Sequence, residues 1–167
     1  MIQDSGERKE FETGAVRDIH EGKGRCDLMP LDVVSNLIYS GEISRIEDFR
    51  QKGDVECLYE CLRIYGHKNF IKSPLMLLEV AKHFEEGAKK YGENNWQKGI
   101  PLHCYIDSAI RHYLKHISGR RDEHHDRAFV WNIMCAIWTY KKMPELDDFT
   151  VRKDKENAGR TVFRTGI

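Results

Sequence analysis

Carboxylates and imidazoles fall near the ends of three predicted helices in this chain of 167 residues. The first of these helices has Glu86, the second has Asp107, and His125 and Asp126 lead into the third. Carboxylates that converge from neighbouring helices form an oxygen-rich pocket, which hard cations such as Mg²⁺ or Mn²⁺ prefer. We therefore expect a Mg²⁺ or Mn²⁺ pocket where these three helices meet.

Cations accompany the carboxylates, at Lys90 on the first helix and at Arg111 and Lys115 on the second. A polyphosphate needs this combination, because the metal ion bridges its oxygens while Lys and Arg offset the remaining charge. A corner that could hold a base, by stacking and by amide hydrogen bonds, follows the first helix and contains Tyr91, Asn95 and Trp96.

Each of these groups also has an interpretation without function. Asp107 and Arg111 are spaced as an intrahelical ion pair, and His125 could be a cap or a core hydrogen-bonding group. Trp96 could fill the core, and Asn132 could hydrogen-bond a neighbouring helix. Spacing alone does not decide between the two interpretations.

A second chemistry is suggested by histidines near the third helix. His112, followed by His124 or His125 and then by Asp126, loosely resembles the His…His-Asp…Asp metal set of HD phosphohydrolases. Its last aspartate would have to lie after Pro144, in a polar segment, as Asp147 or Asp148. We rank this interpretation below the carboxylate pocket, because the adjacent His-Asp pair is a weak match to that pattern. We expect His112 to face away from the Asp107 side of its helix.

Apolar residues with helical spacing predict an all-α body. The predicted helices cover about 30–39, 44–50, 55–65, 74–91, 102–117 and 128–138. The fourth of these helices is the one that contains Glu86. Its expected core stripe is Leu77, Ala81, Phe84, Ala88 and Tyr91. The last helix is apolar nearly all round apart from Asn132, so we expect it at the centre.

A glycine-rich arm precedes the helices. Its Gly-Lys-Gly-Arg segment places Lys23 and Arg25 on backbone that can approach a ligand closely, although a solvated turn explains it equally well. We predict one helical nucleotide-binding domain over residues 1–143, within which 36–75 form a helical insert or lid. Residues 144–167 are predicted to be a polar tail or arm.

Composition excludes several classes of protein. Lys plus Arg equals Asp plus Glu at 27 each, so we expect no general nucleic-acid binding, although a small anionic ligand remains compatible. The five cysteines contain no Cys-x-x-Cys, and we expect free thiols in a reducing cytoplasm. The polar N-terminus and the absence of a long apolar run predict no signal peptide and no membrane span.

Several motifs resemble the phage-type dATP/dGTP diphosphohydrolase N-terminal family, which is related to the MazG-like all-α nucleotide pyrophosphatases. They are Glu86-Gly-Ala-x-x-Tyr-Gly-x-x-Asn-Trp96, Asp107-x-x-x-Arg-His112 with Lys115, and His125 with Asn132. The arm segments Thr13-Gly-Ala-x-Arg-Asp18 and Gly22-Lys-Gly-Arg-x-Asp-Leu-x-Pro30 are similar to the same family. The resemblance covers about 11–35 and 76–140, and residues 36–75 look like an insert.

The resemblance implies a MazG-like helical bundle that hydrolyses a purine deoxynucleoside triphosphate to the monophosphate and pyrophosphate with Mg²⁺ or Mn²⁺. It also implies a homo-oligomer, located in the cytoplasm (the host's, if a phage encodes the protein). By position it makes Glu86, Asp107 and His125 catalytic and makes Glu86, Asp107 and Asp126 the metal ligands. The residues expected at the nucleotide are Lys23, Arg25, Lys90, Tyr91, Asn95, Trp96, Arg111, Lys115 and Asn132.

One departure from the MazG-like signature concerns the carboxylate pairs on the two helices. Here the positions read His83-x-x-Glu86 and Cys104-x-x-Asp107, so Asp18, Asp122 or Asp126 would have to complete the set. An incomplete set also suits a non-catalytic protein that binds or sequesters a nucleotide or a nucleotide-derived signal, as a phage counter-defence sponge would. The sequence leaves both functions open.

Overall fold

Helices make up most of the protein in the computed structural model, which describes residues 7–19, 22–69 and 74–151. In chain order they are α1 (Leu31–Leu37), α2 (Gly41–Lys52), α3 (Glu56–Asn69), α4 (Pro74–Tyr91), α5 (Leu102–Ile117) and α6 (His125–Lys142). Two short strands, β1 (Arg8–Glu10) and β2 (Val16–Asp18), pair antiparallel in the N-terminal arm. The predicted all-α class is confirmed.

The core is organised around α5 and α6, which pack on each other more extensively than any other pair of described elements. Ile106 and Ile110 of α5 and Phe129 and Ile133 of α6 are fully buried, because apolar residues three or four positions apart share one face of a helix. α4 and α3 both pack on α6, and α2 covers α3. The site therefore rests on a rigid helix pair.

α2, α3 and α6 each extend beyond their predicted bounds. α2 begins at Gly41, three residues before the predicted start, because the Ser40 hydroxyl accepts the Ile43 N–H and caps the helix. α3 continues through Gly66, where we expected its end. Tyr65 is buried against Phe129 at a ring distance of 4.6 Å, so tertiary packing outweighs the weak helix propensity of glycine.

The predicted core stripe of α4 is wrong by one helix face. Leu77 is 52% exposed, whereas Val80 and His83 are buried. The prediction fails because α4 packs mainly on α6, while the neighbouring face of the helix borders a cavity instead of the core. Phe84 lies between the buried face of α4 and the face that borders the cavity, since it packs against the core and also lines that cavity.

The N-terminal arm is fastened to the turn after α4. The Asn95 side chain accepts a hydrogen bond from the Val16 N–H at 2.8 Å and donates one to the Val16 carbonyl at 2.7 Å. The Thr13 hydroxyl donates to the Gly99 carbonyl. Gly99 has φ +112°, a backbone conformation that residues with a Cβ rarely adopt, so this turn favours glycine.

None of the helices in the described ranges has the length and apolar character needed to cross a membrane. All five cysteines are free, and four of them are buried, as expected for thiols that pack as small apolar groups.

Candidate functional site

A cavity of about 730 Å³ lies between the arm, the C-terminal part of α4, and the facing sides of α5 and α6. Four parts of the chain border it, because the arm crosses the helices beside the turn that follows α4. Its lining includes Val16, Arg17, Asp18, Lys23, His83, Phe84, Ala88, Tyr91, Asn95, Trp96, Ser108, Arg111, His112, Lys115, Glu123, Trp131 and Asn132. A volume of this size is typical of small-molecule sites.

One wall of the cavity is aromatic. Phe84 contacts Trp96 and Trp131 edge-on, with ring centroids 5.5 and 5.8 Å apart. His83 lies 5.4 Å from Trp131, and burial, together with the charge of Arg127, lowers the pKa of His83 to about 4. The imidazole is therefore neutral near pH 7, and this wall carries no charge.

Two buried donors next to the aromatic wall have no acceptor among the described residues: Arg17 Nη1 and Trp131 Nε1. The Arg17 guanidinium lies 5.1 Å from the centre of the Tyr105 ring and donates through Nη2 to Asn132 Oδ1 at 2.6 Å. Asn132 also donates to the Ala128 carbonyl, so its amide is occupied at both ends. A buried donor without an acceptor is unfavourable, and a bound ligand could supply one.

The other wall is cationic and comprises Lys23, Arg111 and Lys115. Burial lowers the pKa of Lys23, and although Asp18 opposes the shift, the nearby charges of Arg111, Lys90 and Arg17 add to it. Like charges held close together are unfavourable unless anions join them, and Asp18 and Glu123 of the same lining supply part of that negative charge. This wall therefore suits an anionic ligand.

Asp18 ties the arm to the end of α4. Its carboxylate accepts hydrogen bonds from Lys90 Nζ at 2.8 Å and from the Tyr91 hydroxyl at 2.7 Å. Burial raises the pKa of Asp18, but these two hydrogen bonds outweigh it and the net shift is downward. Asp18 is therefore ionised at neutral pH and holds Lys90 in place.

Asp107 is fully buried beneath the cationic wall. Its Oδ1 accepts the Cys26 N–H at 2.6 Å, and its Oδ2 accepts Arg111 Nη1 at 2.6 Å. Arg111 also donates to Ser108 Oγ at 2.8 Å, so its guanidinium is fixed beside the cavity. Asp107 thus orients Arg111 and anchors the arm at Cys26, while the cavity lining does not include it.

Glu86 and Asp126 occupy other places. Glu86 Oε1 accepts from Arg127 Nη2 at 2.8 Å, which joins α4 to α6, and Glu86 does not border the cavity. Asp126 lines a second cavity, of about 280 Å³, which it shares with Asp122, Glu123 and His125. Among the described residues, Glu86, Asp107 and Asp126 do not form a common group of ligand atoms.

A different set of side chains lies within ligand distance of one another: His112, Glu123 and His125. His112 Nδ1 is 3.1 Å from His125 Nδ1, and Glu123 Oε1 is 3.6 Å from the first and 3.3 Å from the second. His125 Nε2 is 3.0 Å from Asp122 Oδ1. Burial and the charge of Arg111 lower the pKa of His112 well below its usual value, which keeps this imidazole neutral.

The cavity gathers most of the residues that the sequence predicted at a nucleotide. They are Lys23, Tyr91, Asn95, Trp96, Arg111, Lys115 and Asn132. Arg25 and Lys90 do not line it, because Arg25 forms a bidentate pair with Asp27 and Lys90 is bound to Asp18. Their roles at a nucleotide, like those of the seven residues in the lining, stay predictions.

Sequence reasoning missed Arg17, His83, His112 and Glu123. His112, which we expected on the side of its helix away from Asp107, lines the cavity next to Arg111, and Asp107 does not. The sequence does point to Arg17, because the segment Thr13-Gly-Ala-x-Arg-Asp18 is one of those that resemble the family. Glu123 precedes α6 in a charged turn, and its position depends on how that turn folds back on α5.

The HD-like arrangement is not assembled. Asp148 binds His103 in the first turn of α5, and His112 lies nine residues further along the helix, about 13 Å away at 1.5 Å per residue. Asp147 accepts hydrogen bonds from Thr150 and Phe149 in its own loop. The final aspartate of that pattern is therefore remote from His112.

Comparison with known proteins identifies the family of this chain. No curated protein matches this chain, and no solved structure matches it either. The family described as dATP/dGTP diphosphohydrolase, N-terminal, matches residues 55–149. The match begins inside the 36–75 segment that we predicted to be an insert, and it includes all of α3 to α6. Because the matched range covers more than half of the chain, the protein belongs to the dATP/dGTP diphosphohydrolase N-terminal family.

Proposed function

We propose that this protein is a metal-dependent hydrolase of purine deoxynucleoside triphosphates that releases the monophosphate and pyrophosphate. The observation that carries the proposal is the cavity itself, in which an uncharged aromatic wall adjoins a cationic wall. The family's name supports the hydrolase class, and the two walls suit the two unlike halves of a nucleotide.

The base would lie against the aromatic wall. Phe84, Trp96 and Trp131 present ring edges and faces, and base–aromatic stacking contributes about 1–3 kcal/mol per base. The buried donors Arg17 Nη1 and Trp131 Nε1 would meet acceptors on the base, and a purine offers several ring nitrogens. Asn95 would act indirectly, because its amide is already used to hold Val16.

The phosphates would lie against Lys23, Arg111 and Lys115. Arg111 is fixed by Asp107 and Ser108, so its remaining donors are preorganised for a phosphate oxygen. Positive groups fixed before the reaction stabilise the charge that develops on the phosphate chain in the transition state, and they do so without reorganising. This is the part of the hydrolysis that the described side chains support directly.

The metal requirement belongs to the same proposal, but the residues first expected to hold the ion do not fit it. Asp107 is occupied by Arg111 and the Cys26 N–H, and Glu86 by Arg127. Mg²⁺ in nucleotide enzymes is held largely by the substrate phosphates and one or two carboxylates, so it would enter with the nucleotide. No catalytic step is assigned to Glu86 or Asp126.

A homo-oligomer in the cytoplasm completes the proposal. Light scattering coupled to size-exclusion chromatography tests the first part, and a single species with the mass of one 19.6 kDa chain would contradict it.

Binding without turnover is a second candidate function. It is favoured by one observation, namely that Glu86 and Asp107 are neutralised by arginines rather than presented to the cavity. In that case the protein would retain a nucleotide or a nucleotide-derived signal chemically unchanged. Extraction of the bound ligand after heat denaturation distinguishes this function from hydrolysis.

The test is incubation with a panel of purine and pyrimidine nucleoside triphosphates in Mg²⁺ or Mn²⁺, followed by chromatography of the products. We expect purine deoxynucleoside monophosphate and pyrophosphate in equal amounts. Lys23→Ala and Lys115→Ala should raise KM about tenfold each, whereas Lys82→Ala, an exposed lysine of α4 outside the cavity, should not. Unchanged nucleotides with every metal would overturn the hydrolase and leave the binding function.

A further inference from the structure

Three potential ligand atoms form a small triangle beside the proposed nucleotide cavity. They are His112 Nδ1, His125 Nδ1 and Glu123 Oε1, and the sides of the triangle measure 3.1, 3.3 and 3.6 Å. Ligands bound at about 2.1 Å to one ion are about 3.4 Å apart in tetrahedral geometry and about 3.0 Å apart in octahedral geometry. The triangle therefore has the dimensions of one face of a coordination sphere.

We propose that His112, Glu123 and His125 bind a transition-metal ion through these three atoms, with Asp122 as the outer partner of His125. The proposal rests on the proposed function only for the role of the ion, since binding itself requires no nucleotide.

The proton positions support a cation at this place. If His125 Nε2–H donates to Asp122, the lone pair of His125 lies on Nδ1. For a neutral His125, Nδ1 then faces Glu123 Oε1 at 3.3 Å, and neither of these two atoms has a proton to donate. Two acceptors held this close repel each other, and His112 Nδ1 can place a proton on only one of them. A shared metal ion would satisfy all three lone pairs at once.

Other charges near the triangle do not replace the ion. Lys115 Nζ lies 3.7 Å from Glu123 Oε1 and 3.9 Å from Asp122 Oδ2, so it partly balances the two carboxylates. These distances exceed a hydrogen bond, and Lys115 also lines the cavity. It could serve a phosphate and still remain near the metal site.

The partner of His125 resembles the outer shell of known metal sites. A histidine that binds a metal through one ring nitrogen commonly donates its other N–H to a carboxylate, which fixes the tautomer and the ring orientation. Asp122 occupies that position at 3.0 Å. His125 has a side chain only 1% exposed, so its ring cannot turn freely.

The donor set determines the class of ion. Two imidazole nitrogens and one carboxylate suit Zn²⁺, Mn²⁺, Fe²⁺ or Co²⁺, whereas Mg²⁺ prefers oxygen ligands and keeps its waters. Three protein ligands also leave coordination positions for water, as in catalytic rather than structural sites. Because His112 and Glu123 both line the cavity, such an ion would border the place where the phosphates are expected.

Direct binding measurements test the site. The protein is stripped with a chelator, dialysed and titrated with Co²⁺ in the absence of nucleotide, and the visible absorption of Co²⁺ is followed. Zn²⁺ and Mg²⁺ are then added as competitors, and the metal content of the desalted protein is measured by mass spectrometry. We expect one Co²⁺ per chain, displaced by Zn²⁺ and retained in excess Mg²⁺.

Variants separate the site from adventitious binding. Glu123→Gln and His112→Gln should weaken Co²⁺ binding at least about 100-fold, and Asp122→Asn about 10–100-fold. His124→Gln is the matched control, because this exposed neighbour is outside the triangle and should bind Co²⁺ like the unchanged protein. If His112→Gln does not fold, Glu123→Gln decides, since Gln keeps the size of the side chain.

Three outcomes overturn the proposal: no Co²⁺ or Zn²⁺ bound by the unchanged protein, equal binding by Glu123→Gln, or displacement of Co²⁺ by equimolar Mg²⁺. The site and the hydrolase are tested separately. Metal binding that depends on Glu123 in a protein that hydrolyses no nucleotide upholds the site and contradicts the function. Nucleotide hydrolysis by a protein that shows no such metal binding upholds the function and contradicts the site.

Discussion

Two carboxylates of this protein lie on opposite sides of Arg111 and His112 in the chain, and their surroundings differ in kind. Asp107, in the first half of α5, is fully buried and receives hydrogen bonds from the Cys26 N–H and from Arg111. Glu123, in the turn before α6, lines the cavity and faces two imidazole nitrogens.

The difference separates a structural carboxylate from one available for chemistry. Both oxygens of Asp107 accept donors within the protein, so it fixes the arm and Arg111 and has little capacity left for a ligand. The neighbours of Glu123 are the ring nitrogens of His112 and His125 and, at 3.7 Å, Lys115 Nζ, an arrangement that the proposed metal ion would complete. The sequence predicted the reverse, since Asp107 and not Glu123 was among the expected metal ligands.

The largest expected effect is on stability at Asp107. Asp107→Ala should lower the free energy of unfolding by about 3–5 kcal/mol, because it leaves the Arg111 charge largely buried without its partner. Urea unfolding measures the change. Asp48→Ala is the control, since Asp48 forms exposed pairs with Arg45 and Lys52 and should change stability by less than about 1 kcal/mol. Equal losses of unfolding free energy in the two variants would show that Asp107 stabilises the fold no more than an exposed carboxylate does.

Glu123→Gln should show the opposite profile. We expect turnover to fall about 100-fold, because the variant loses a metal ligand beside the phosphates, while the free energy of unfolding changes by less than about 1 kcal/mol. Steady-state kinetics and urea unfolding on one preparation give both quantities. Glu145→Gln, exposed and outside the cavity, should match the unchanged protein in both. A large loss of stability with normal turnover would assign Glu123 to the scaffold.

Asn95 lies between these extremes, since it supports the cavity from outside the reacting groups. Asn95→Ala removes both hydrogen bonds to Val16 and should lower the free energy of unfolding by about 1–3 kcal/mol. Because the arm supplies Arg17 and Lys23, KM for the nucleotide should rise more than kcat falls.

Hydrogen exchange across residues 14–18 reports directly on release of the arm in Asn95→Ala. Asn36→Ala, an exposed asparagine on α1, is the matched control and should leave that segment protected. Unchanged exchange in Asn95→Ala would mean that Thr13 and Asp18 hold the arm without it.

The sequence was most informative where one helix face decides the structure. Apolar spacing predicted α5 and α6, and the spacing of Arg111 and Lys115 by four residues placed both on one side of α5, where they now border the cavity. The positions of Arg111 and Lys115 beside the cavity were thus predictable, because both depend on one helix and on local spacing.

Contacts between distant segments were not predictable in the same way. Glu86 pairs with Arg127 and Asp107 with the Cys26 N–H, and both contacts depend on how helices and arm pack. The α4 stripe failed for the same reason, since a cavity and not core covers the side bearing Ala88. The role of a carboxylate depends on which hydrogen-bond donor lies beside it in the fold, and local sequence spacing does not determine that donor.

The smallest predicted effect concerns an ion pair remote from the cavity. His103 Nδ1 and Asp148 Oδ2 form a contact at the start of α5, and the hydrogen bond to Asp148, together with the Cys104 thiol, raises the pKa of His103 to about 10. The pKa in the unfolded chain is about 6.5. The contribution of the pair to stability is therefore complete below pH 6.5 and is lost as the pH rises through about 10.

Asp148→Asn isolates this charge, because asparagine can still accept the His103 N–H that Asp148 Oδ1 now accepts at 2.9 Å. Asp148 is 44% exposed, so solvent screening limits the pair to about 1 kcal/mol. Urea unfolding of both proteins should give a difference that is constant from about pH 5 to 6.5 and vanishes above pH 10. A difference that persists above pH 10 would show that the backbone hydrogen bond, and not the charge, stabilises this end of α5.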